Sequence, residues 1–205
     1  MAMNRHKRAE AEHPIEEVFV ERYSPYAFEP RPVEAEKLRS VLEAARWAAS
    51  SFNEQPWAFM IAQRQDEAMF ARMLGCLVEM NQGWAQHAGV LMIAATKRRF
   101  SRNNQPNRVC EHDVGLAAGN LTIQATVLGL AVHQMAGIDV TRSRHTYVIP
   151  EGWDPITAIA IGYAADPDDG GDDELAQRDR APRTRRTLAE FVFGEKFGQA
   201  APVVG

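Results

Sequence analysis

The stretch from Val109 to Leu130 limits the possible folds more than any other part of the sequence. Its apolar residues recur at helical spacing on every side, and a helix that is apolar all round is buried rather than laid on a surface. Glycines and alanines at positions 115, 117, 118 and 119 would allow a second backbone to approach closely. We therefore expect a helix that lies either in the core of a dimer or in the core of a monomer. One face comprises Val114, Ala117, Ala118, Leu121, Ala125 and Leu128, and the other carries Leu116, Ile123 and Val127.

The rest of the chain alternates irregularly between helical and extended patterns. Residues 1–14 are polar and are expected to form a mobile arm, and residues 15–205 are expected to form a single domain. Because the alternation follows no regular strand–helix–strand repeat, it predicts an α+β fold or a mixed three-layer sandwich. Helices are expected at 15–21, from 34 to about 49, at 66–80 with Asp66 as N-cap, and at 140–148, strands at 57–62, 89–96, 130–135 and 156–162, and an amphipathic tail at 188–197.

Composition narrows the classes of function. A chain of 205 residues that is 45% apolar can bury one sizeable core. Its 23 basic residues are outnumbered by 27 acidic ones, which argues against a general binder of nucleic acids or anionic membranes. Only two cysteines occur, too few for a disulfide framework, which favours a reducing compartment. No run approaches the 18 apolar residues of a membrane span, and the charged N-terminus lacks the apolar run of a signal peptide. We therefore expect a cytoplasmic protein that does not enter a membrane.

The familiar catalytic signatures are missing from the sequence. It contains no GxGxxG or GxxxxGK[ST] phosphate loop, no GxSxG nucleophile elbow and no HExxH zinc motif. Glu111, His112 and Asp113 look like a metal cluster, but successive residues of a helix point in different directions and cannot converge on one ion. We therefore assign no metal site and no catalytic side chain.

Two short polar segments could bind a ligand instead. Arg22 and Ser24 stand before a proline-rich turn and could donate hydrogen bonds to a phosphate, although a surface arginine beside a turn serine is the simpler interpretation of this pair alone. The loop from Ser50 to Gln55 leads from a helix into a strand and holds two serines and two amides, so it could bind a polar heterocycle or a sugar chain.

A third candidate segment is a basic stretch that follows an acidic one. The stretch 166–174 reads as a solvated loop, and after it Arg183 and Arg185 would share one side of an extended chain. Both could join Arg22 around a phosphate. Without further information, a solvated run of charges that balances the acidic stretch is the simpler interpretation.

The loop from Ser50 to Trp57 resembles the hallmark of the nitroreductase-like family of flavoproteins. That hallmark is a helix followed by Ser-Ser, an aromatic or small residue, Asn, any residue, and Gln-Pro-Trp; this chain has Ser-Ser-Phe-Asn-Glu-Gln-Pro-Trp. Four other segments resemble the family in register: residues 22–24 its Arg-x-Ser phosphate motif, residues 113–121 its dimer helix, residues 134–139 its turn facing the flavin, and residues 183–188 its C-terminal basic motif.

The resemblance implies both a fold and a cofactor. The fold would be a nitroreductase-like three-layer sandwich, a mainly antiparallel sheet flanked by helices, with the C-terminal extension exchanged in a homodimer. The cofactor would be FMN, with backbone amides at Ala136 and Gly137 near its N5 where no side chain intervenes, and Ser50 and Ser51 reaching across from the partner subunit. The cofactor-binding residues expected are Arg22, Tyr23, Ser24, Ser50, Ser51, Asn53, Gln55, Asn81, Gln134, Met135, Ala136, Gly137, Arg183 and Arg185.

The same resemblance implies an NAD(P)H oxidoreductase with a ping-pong order. NADH or NADPH would deliver hydride and leave, and a small acceptor such as a nitroaromatic compound or a quinone would then be reduced. The alternatives are a flavin-binding sensor or carrier with little turnover, and a specialised member that dehalogenates, fragments a ring or dehydrogenates its substrate. The Arg- and Asn-rich segment 98–108 is expected to be either a substrate lid or a simple loop.

Overall fold

An antiparallel sheet forms the centre of the molecule in the computed structural model, which describes residues 4–168 and 174–204. Its strands are β1 (Phe28–Glu29), β2 (Trp57–Gln63), β3 (Val90–Lys97), β4 (Ala131–Met135) and β5 (Trp153–Ala164). Because β3 and β4 both pair with residues 158–161 of β5, they lie on its two opposite edges. The order β4-β5-β3-β2 therefore runs across the sheet, and β1 pairs with the end of β5.

Helices cover both faces of this sheet. They are α1 (Glu17–Glu21), α2 (Ala35–Arg46), α3 (Glu67–Leu74), α4 (Glu79–Ala85), α5 (Cys110–Val127), α6 (Val140–Thr146) and α7 (Glu174–Arg180). Alternate side chains of β3 point to opposite faces, so Val90 and Met92 pack with α2 and α5, whereas Leu91 and Ile93 pack with α3 and α4. The chain is therefore an α+β three-layer sandwich built on an antiparallel sheet, as predicted.

Helix α5 confirms the long helix expected from the sequence, but it is buried on one side only. Ala117, Leu121 and Ala125 are fully buried against the sheet and α2. On the opposite side, Leu116 is 39% exposed and Val127 64%. Its glycines on that side, at positions 115 and 119, border open space. Within one chain, therefore, one face of α5 is exposed to solvent and carries apolar side chains and glycines.

Gly129 ends α5 and turns the chain into β4. Its φ is +74°, a left-handed conformation that glycine adopts at low cost, and Leu130 donates its N–H to the Ala125 carbonyl at 2.8 Å. The turn leads directly into β4, whose last residues are candidate site residues.

The helix expected over 66–80 is in fact two helices. Asp66 caps α3 by accepting from the Met69 N–H at 3.0 Å, as predicted, but α3 ends at Leu74. Leu77 then pairs with Ile138, and the Asp139 N–H donates to the Cys76 carbonyl at 2.8 Å. The expectation of one helix is wrong because this strand-like contact uses backbone groups that a continuous helix would need.

The N-terminal segment packs against Asp168 and α7. Arg5 and His6 contact the Asp168 carboxylate, and Lys7 donates to the Arg178 carbonyl in α7. Residues 5–7 are therefore in contact with the rest of the domain, and the mobile arm expected over residues 1–14 stays a prediction. Of the acidic stretch, residues 169–173 lie outside the described residues, as do residues 1–3 and 205.

The C-terminal tail contains only short helical turns, at Leu188–Glu190 and Pro202–Val204. Several of its large apolar side chains are exposed, among them Phe197 at 95% and Val203 at 86%. The amphipathic tail expected over 188–197 is therefore an irregular extension. None of the helices in the described ranges is long and apolar enough to cross a membrane.

Candidate functional site

Three arginines come together at the end of α1. Arg22 directly follows this helix, and its guanidinium donates to the Ser24 hydroxyl at 3.3 Å. Arg183 reaches the same place from the C-terminal part of the chain and donates to the carbonyls of Val20 and Arg22. Arg185 is exposed beside them. Arg22, Arg183 and Arg185 are called the arginine cluster below.

The electrostatics of the arginine cluster suit an anion. Burial, followed by the charge of Arg185, lowers the pKa of Arg22; burial, followed by the charges of Arg22 and Arg185, lowers the pKa of Arg183. The buried Nε–H of Arg183 has no acceptor among the described residues. Because guanidinium groups match the geometry of phosphate oxygens, an unused donor among three repelling cations fits a phosphate dianion.

A pocket of about 750 Å³ opens beside the arginine cluster. The cluster forms one wall, residues 9–13 of the N-terminal segment form another, and Phe19 and Phe191 supply apolar surface. The cluster is therefore accessible from outside the chain.

His133 ties the chain after Ser24 to β4. Its Nδ1–H donates to the Pro25 carbonyl at 2.8 Å, and its ring centroid lies 4.8 Å from that of Tyr26 and 4.4 Å from that of Trp84. Burial lowers the pKa of His133, which favours the neutral imidazole. The middle of β4 and the chain that follows Ser24 therefore pack together.

Residues 134–137, called the Gly137 turn below, comprise the last two residues of β4 and the two that follow, and Gly137 packs against the start of α4. The Gly137 carbonyl accepts from the Val78 N–H and from the Asn81 side chain, both at 3.1 Å. A Cβ on Gly137 would lie 2.5 Å from Asn81 Nδ2 and 2.7 Å from Val78 Cγ2, so any larger residue here would have to displace these two side chains. The Gly137 N–H donates to no acceptor in the described part of the chain and is free to meet a ligand.

Two of the expected site residues have buried side chains, and a third, the exposed Gln134, is hydrogen-bonded to α5. Tyr23 is 9% exposed and Met135 is 7% exposed, the latter in the core beside α3 and α4. The Gln134 Nε2 donates to the Thr122 hydroxyl on α5 at 3.0 Å. At Tyr23 and Met135, main-chain atoms are what remains for a cofactor.

The loop from Ser50 to Gln55, called the polar loop below, has an unusual backbone. The φ angles of Phe52, Asn53 and Gln55 are 55°, 55° and 51°, all in the left-handed region that favours glycine. Each such residue costs about 1 kcal/mol or more. The polar loop is therefore held in a conformation that its residue types do not favour.

Two buried carboxylates hold the polar loop in place. Asp113 of α5 is 2% exposed and accepts from the Ser51 N–H at 3.0 Å. The Glu54 side chain is 7% exposed and accepts from the Ser101 N–H at 2.8 Å. Neither carboxylate was among the expected site residues: Asp113 was named in a rejected cluster and as the first residue of the segment 113–121. Among the described residues, no group of three or more His, Cys, Asp or Glu side chains is arranged to hold a metal ion.

The polar loop and the arginine cluster lie apart in one chain. The loop enters β2, and three steps across the sheet separate β2 from β4, about 14 Å at roughly 4.8 Å a step. The structure thus places the expected residues in three groups. The first is Arg22, Tyr23, Ser24, Arg183 and Arg185 after α1; the second is Asn81, Gln134, Met135, Ala136 and Gly137 around the end of β4; the third is Ser50, Ser51, Asn53 and Gln55 in the polar loop.

Asp179 of α7 is a further residue of the first region that sequence reasoning missed. Its carboxylate accepts from the N–H groups of Tyr26 and Ala27, both at 2.9 Å, and so fixes the turn after Ser24. Burial raises its pKa in spite of these hydrogen bonds. In the sequence it stands between two arginines and looks like part of a charge run, so no local signal distinguishes it.

Sequence comparison relates the chain to known proteins over most of its length. The model of the Nitroreductase family matches residues 19–81 and 76–163. An uncharacterized 15.4 kDa protein of Mycolicibacterium smegmatis is 31% identical over 137 residues, 67% of this chain and 89% of that protein. A putative NADH dehydrogenase/NAD(P)H nitroreductase of Streptomyces coelicolor is 25% identical over 169 residues, 73% of this chain and 83% of that protein.

Solved structures agree with this relation. An oxidoreductase containing FMN is similar with a TM-score of 0.83 and 33% identity, covering 92% of this chain and 95% of that one. A putative NADH oxidase from Clostridium acetobutylicum has a TM-score of 0.67 at 20% identity, covering 88% and 99%. The second similarity concerns the fold alone.

Proposed function

Because this chain belongs to the Nitroreductase family, we propose that it is an FMN-dependent oxidoreductase that takes electrons from NADH or NADPH and passes them to a small acceptor, such as a nitroaromatic compound or a quinone. Two features carry the proposal: the arginine cluster holds an unused buried donor, and the Gly137 N–H, in the turn after β4, has no acceptor among the described residues. FMN has a phosphate dianion at one end and a polar ring system at the other. The two features suit its two ends.

The chain's own residues would bind and orient the cofactor. The arginine cluster and the Ser24 hydroxyl would hold the phosphate, and the Gly137 N–H and Asn81 would face the edge of the ring system. When bound, FMN supplies the two-electron redox chemistry. His133 is held neutral with its Nδ1–H on the Pro25 carbonyl, so we assign it no acid–base role.

We propose further that the protein acts as a homodimer. The polar loop lies about three strands from the arginine cluster within one chain, and a second copy could supply it to the same cofactor. The open face of α5, with Leu116, Val127 and two glycines, would suit close contact with another backbone. The exposed tail would then be covered by the partner. Sedimentation of the purified protein tests this, and a monomer at micromolar concentration would contradict it.

The proposal includes one binding face that the donor and the acceptor occupy in turn. Initial rates at several fixed acceptor concentrations would then give parallel double-reciprocal lines against NADH or NADPH. Intersecting lines would contradict the ping-pong order without affecting the cofactor assignment.

We also propose that the protein works in the cytoplasm. Cys76 and Cys110 are both free and buried, which is compatible with a reducing compartment. Fractionation of cells that produce the protein tests this proposal.

The most direct test of the function is the absorption spectrum of the purified protein, followed by anaerobic titration with NADH and NADPH. We expect flavin bands that bleach with one equivalent of donor and return on addition of a nitroaromatic compound or a quinone. A yellow protein that neither donor bleaches would instead indicate a flavin carrier or sensor. A protein that binds no FMN would contradict the proposal.

A further inference from the structure

Three side chains next to the polar loop form a compact exposed surface, called the aromatic platform below. The Phe52 side chain is 70% exposed, and the guanidinium of Arg102 lies 3.7 Å from the centroid of its ring. Phe100 meets the Phe52 ring edge to face, with 5.8 Å between centroids. The platform thus combines an open aromatic surface with a cation.

The position of Phe52 is unfavourable for folding. A bulky residue with φ of +55° is an outlier for an L-amino acid, and its apolar ring remains in water instead of being buried. Strain of this kind persists where surrounding contacts impose it, and it is concentrated at ligand-binding sites. Folding of the single chain offers no burial of the ring to offset the backbone strain.

The contacts around Phe52 keep the ring in a defined place. The N–H of Ser51, the residue before it, donates a hydrogen bond to Asp113. Two residues after Phe52, the Glu54 carboxylate accepts a hydrogen bond from the Ser101 N–H. Glu54 thereby links the polar loop to the segment that carries Phe100 and Arg102. The platform is preorganised, which lowers the entropy cost of binding a rigid ligand.

The charge around the platform is positive. The segment 97–108 contains five basic residues and no acidic one. Arg98 is neutralised by Glu111 and Asp154, each at 2.6 Å, and Lys97 lies 3.8 Å from Glu54. In the described ranges, Arg102 has no carboxylate partner, so its charge is available to an incoming anion.

We propose that the aromatic platform selects planar aromatic acceptors that carry a carboxylate. The acceptor's ring would lie against the exposed surface of Phe52, beside Phe100, and its carboxylate would pair with Arg102. Because Phe52 adjoins Asn53, an acceptor held there lies beside a residue to which we assign cofactor contact. The inference rests on the proposed function and names a substrate class for it.

The experiment compares two nitroaromatic acceptors of similar shape, the anion 4-nitrobenzoate and the neutral 4-nitrobenzamide. In Arg102→Gln we expect kcat/KM for 4-nitrobenzoate to fall about fivefold, the upper range for an exposed ion pair, while kcat/KM for 4-nitrobenzamide changes less than twofold. Most of the loss should appear in KM. The matched control is Arg39→Gln, an exposed arginine on α2, which should leave the ratio of the two acceptors unchanged.

A second measurement isolates binding from turnover. Benzoate carries no nitro group, so its inhibition constant against 4-nitrobenzamide reports binding alone; we expect Arg102→Gln to weaken it about fivefold. Phe52→Ala should raise KM for both acceptors, because stacking does not depend on charge.

The outcomes separate the inference from the proposed function. Normal turnover with an anion-to-neutral ratio that Arg102→Gln leaves unchanged would overturn the platform while leaving the oxidoreductase intact. A change confined to KM for NADPH would also overturn it, because Arg102 would then serve the donor. An unsubstituted protein that binds no FMN or oxidises no NAD(P)H would instead contradict the proposed function.

Discussion

The arginine cluster and the polar loop, which we propose contact one cofactor, store unfavourable free energy in different ways. In the arginine cluster the backbone is ordinary, with φ of −61° at Arg22, but three cations repel one another and a buried donor is unpaired. The polar loop carries little net charge, yet Phe52 and Asn53 have left-handed backbones. One region is strained electrostatically and the other conformationally.

The difference determines what can relieve each strain. A phosphate dianion would neutralise two of the three positive charges of the arginine cluster, so binding of the ligand itself relieves most of the repulsion between the arginines. No ligand changes the φ of Phe52, and the polar loop therefore depends on Asp113 and Glu54 to hold it. We expect changes in the cluster to affect ligand binding more than stability, and changes in the loop's supports to affect the stability of the cofactor-free protein.

The largest effect is expected from removing one cation of the cluster. Arg185→Ala or Arg22→Ala should weaken FMN binding by about 1.5–3 kcal/mol, the worth of a hydrogen bond to a charged group, which is about 10- to 150-fold in Kd. For the exposed Arg185 the free energy of unfolding without FMN should change by less than about 0.5 kcal/mol, because a like charge is removed. Fluorescence titration with FMN and urea unfolding measure the two quantities.

The control for the cluster is Arg39→Ala, which removes an exposed arginine of α2. It should alter neither the Kd for FMN nor the free energy of unfolding. Unchanged FMN affinity in both cluster variants would remove the phosphate from this region. If Arg185→Ala greatly lowers the free energy of unfolding without FMN, repulsion between the three arginines is not the main effect of Arg185 in the cofactor-free protein.

The next effect is expected at the Gly137 turn, where the constraint is steric rather than electrostatic. Gly137→Ala would place a methyl group within 2.7 Å of Asn81 and Val78, and overpacking of this kind costs about 1–3 kcal/mol. The control is Gly83→Ala, in α4 two residues after Asn81, where a Cβ meets open space. It should leave the free energy of unfolding unchanged or raise it by up to about 1 kcal/mol. Urea unfolding compares them. Equal stability of the two variants would mean that α4 does not confine the turn.

The sequence predicted the layers of the fold better than its interruptions. Strong local periodicity identified α5, β3 and β5, because those segments are long and their burial is continuous. It missed the break after Leu74, since the pairing of Leu77 with Ile138 involves residues far apart in the chain. Helix α7 also escaped notice, because its charges hid the buried Asp179.

For the candidate site, residue types were visible in the sequence but orientation was not. Arg22 and Arg183 were identified from their chemistry and their motifs, and the structure places them together. The left-handed backbone of the polar loop could not be anticipated, because Phe52 and Gln55 have no preference for it. Nor could Asp113, whose partner is a backbone N–H 62 residues away.

A smaller effect is expected from the support of the polar loop. Asp113→Ala leaves the Ser51 N–H without its acceptor and should lower the free energy of unfolding by about 1–2 kcal/mol, with or without FMN. Asp113→Asn keeps an oxygen at the same place and should lose less. Urea unfolding of cofactor-free protein distinguishes this variant from those of the cluster. If Asp113→Ala is as stable as the unsubstituted protein, the loop's backbone is not held by α5.

The smallest effect is expected from acid and should act on only one of the two regions. Burial lowers the pKa of His133, so the folded state binds its proton less readily than the unfolded state does. The stability linked to His133 is therefore complete above its unfolded pKa, about 6.5, and is lost as the pH falls from there towards the lower, folded pKa. Protonation places a charge between Tyr26 and Trp84 and loosens the chain after Ser24, whereas the polar loop contains no histidine.

Amide hydrogen exchange, corrected for its intrinsic pH dependence, should thus accelerate at 24–27 between pH 7 and 5.5 and stay constant at 50–55. His133→Gln should reduce the pH dependence at 24–27, leaving the part that arises from Asp179, whose pKa burial raises. An equal acceleration in both segments would mean that the two regions open as one unit.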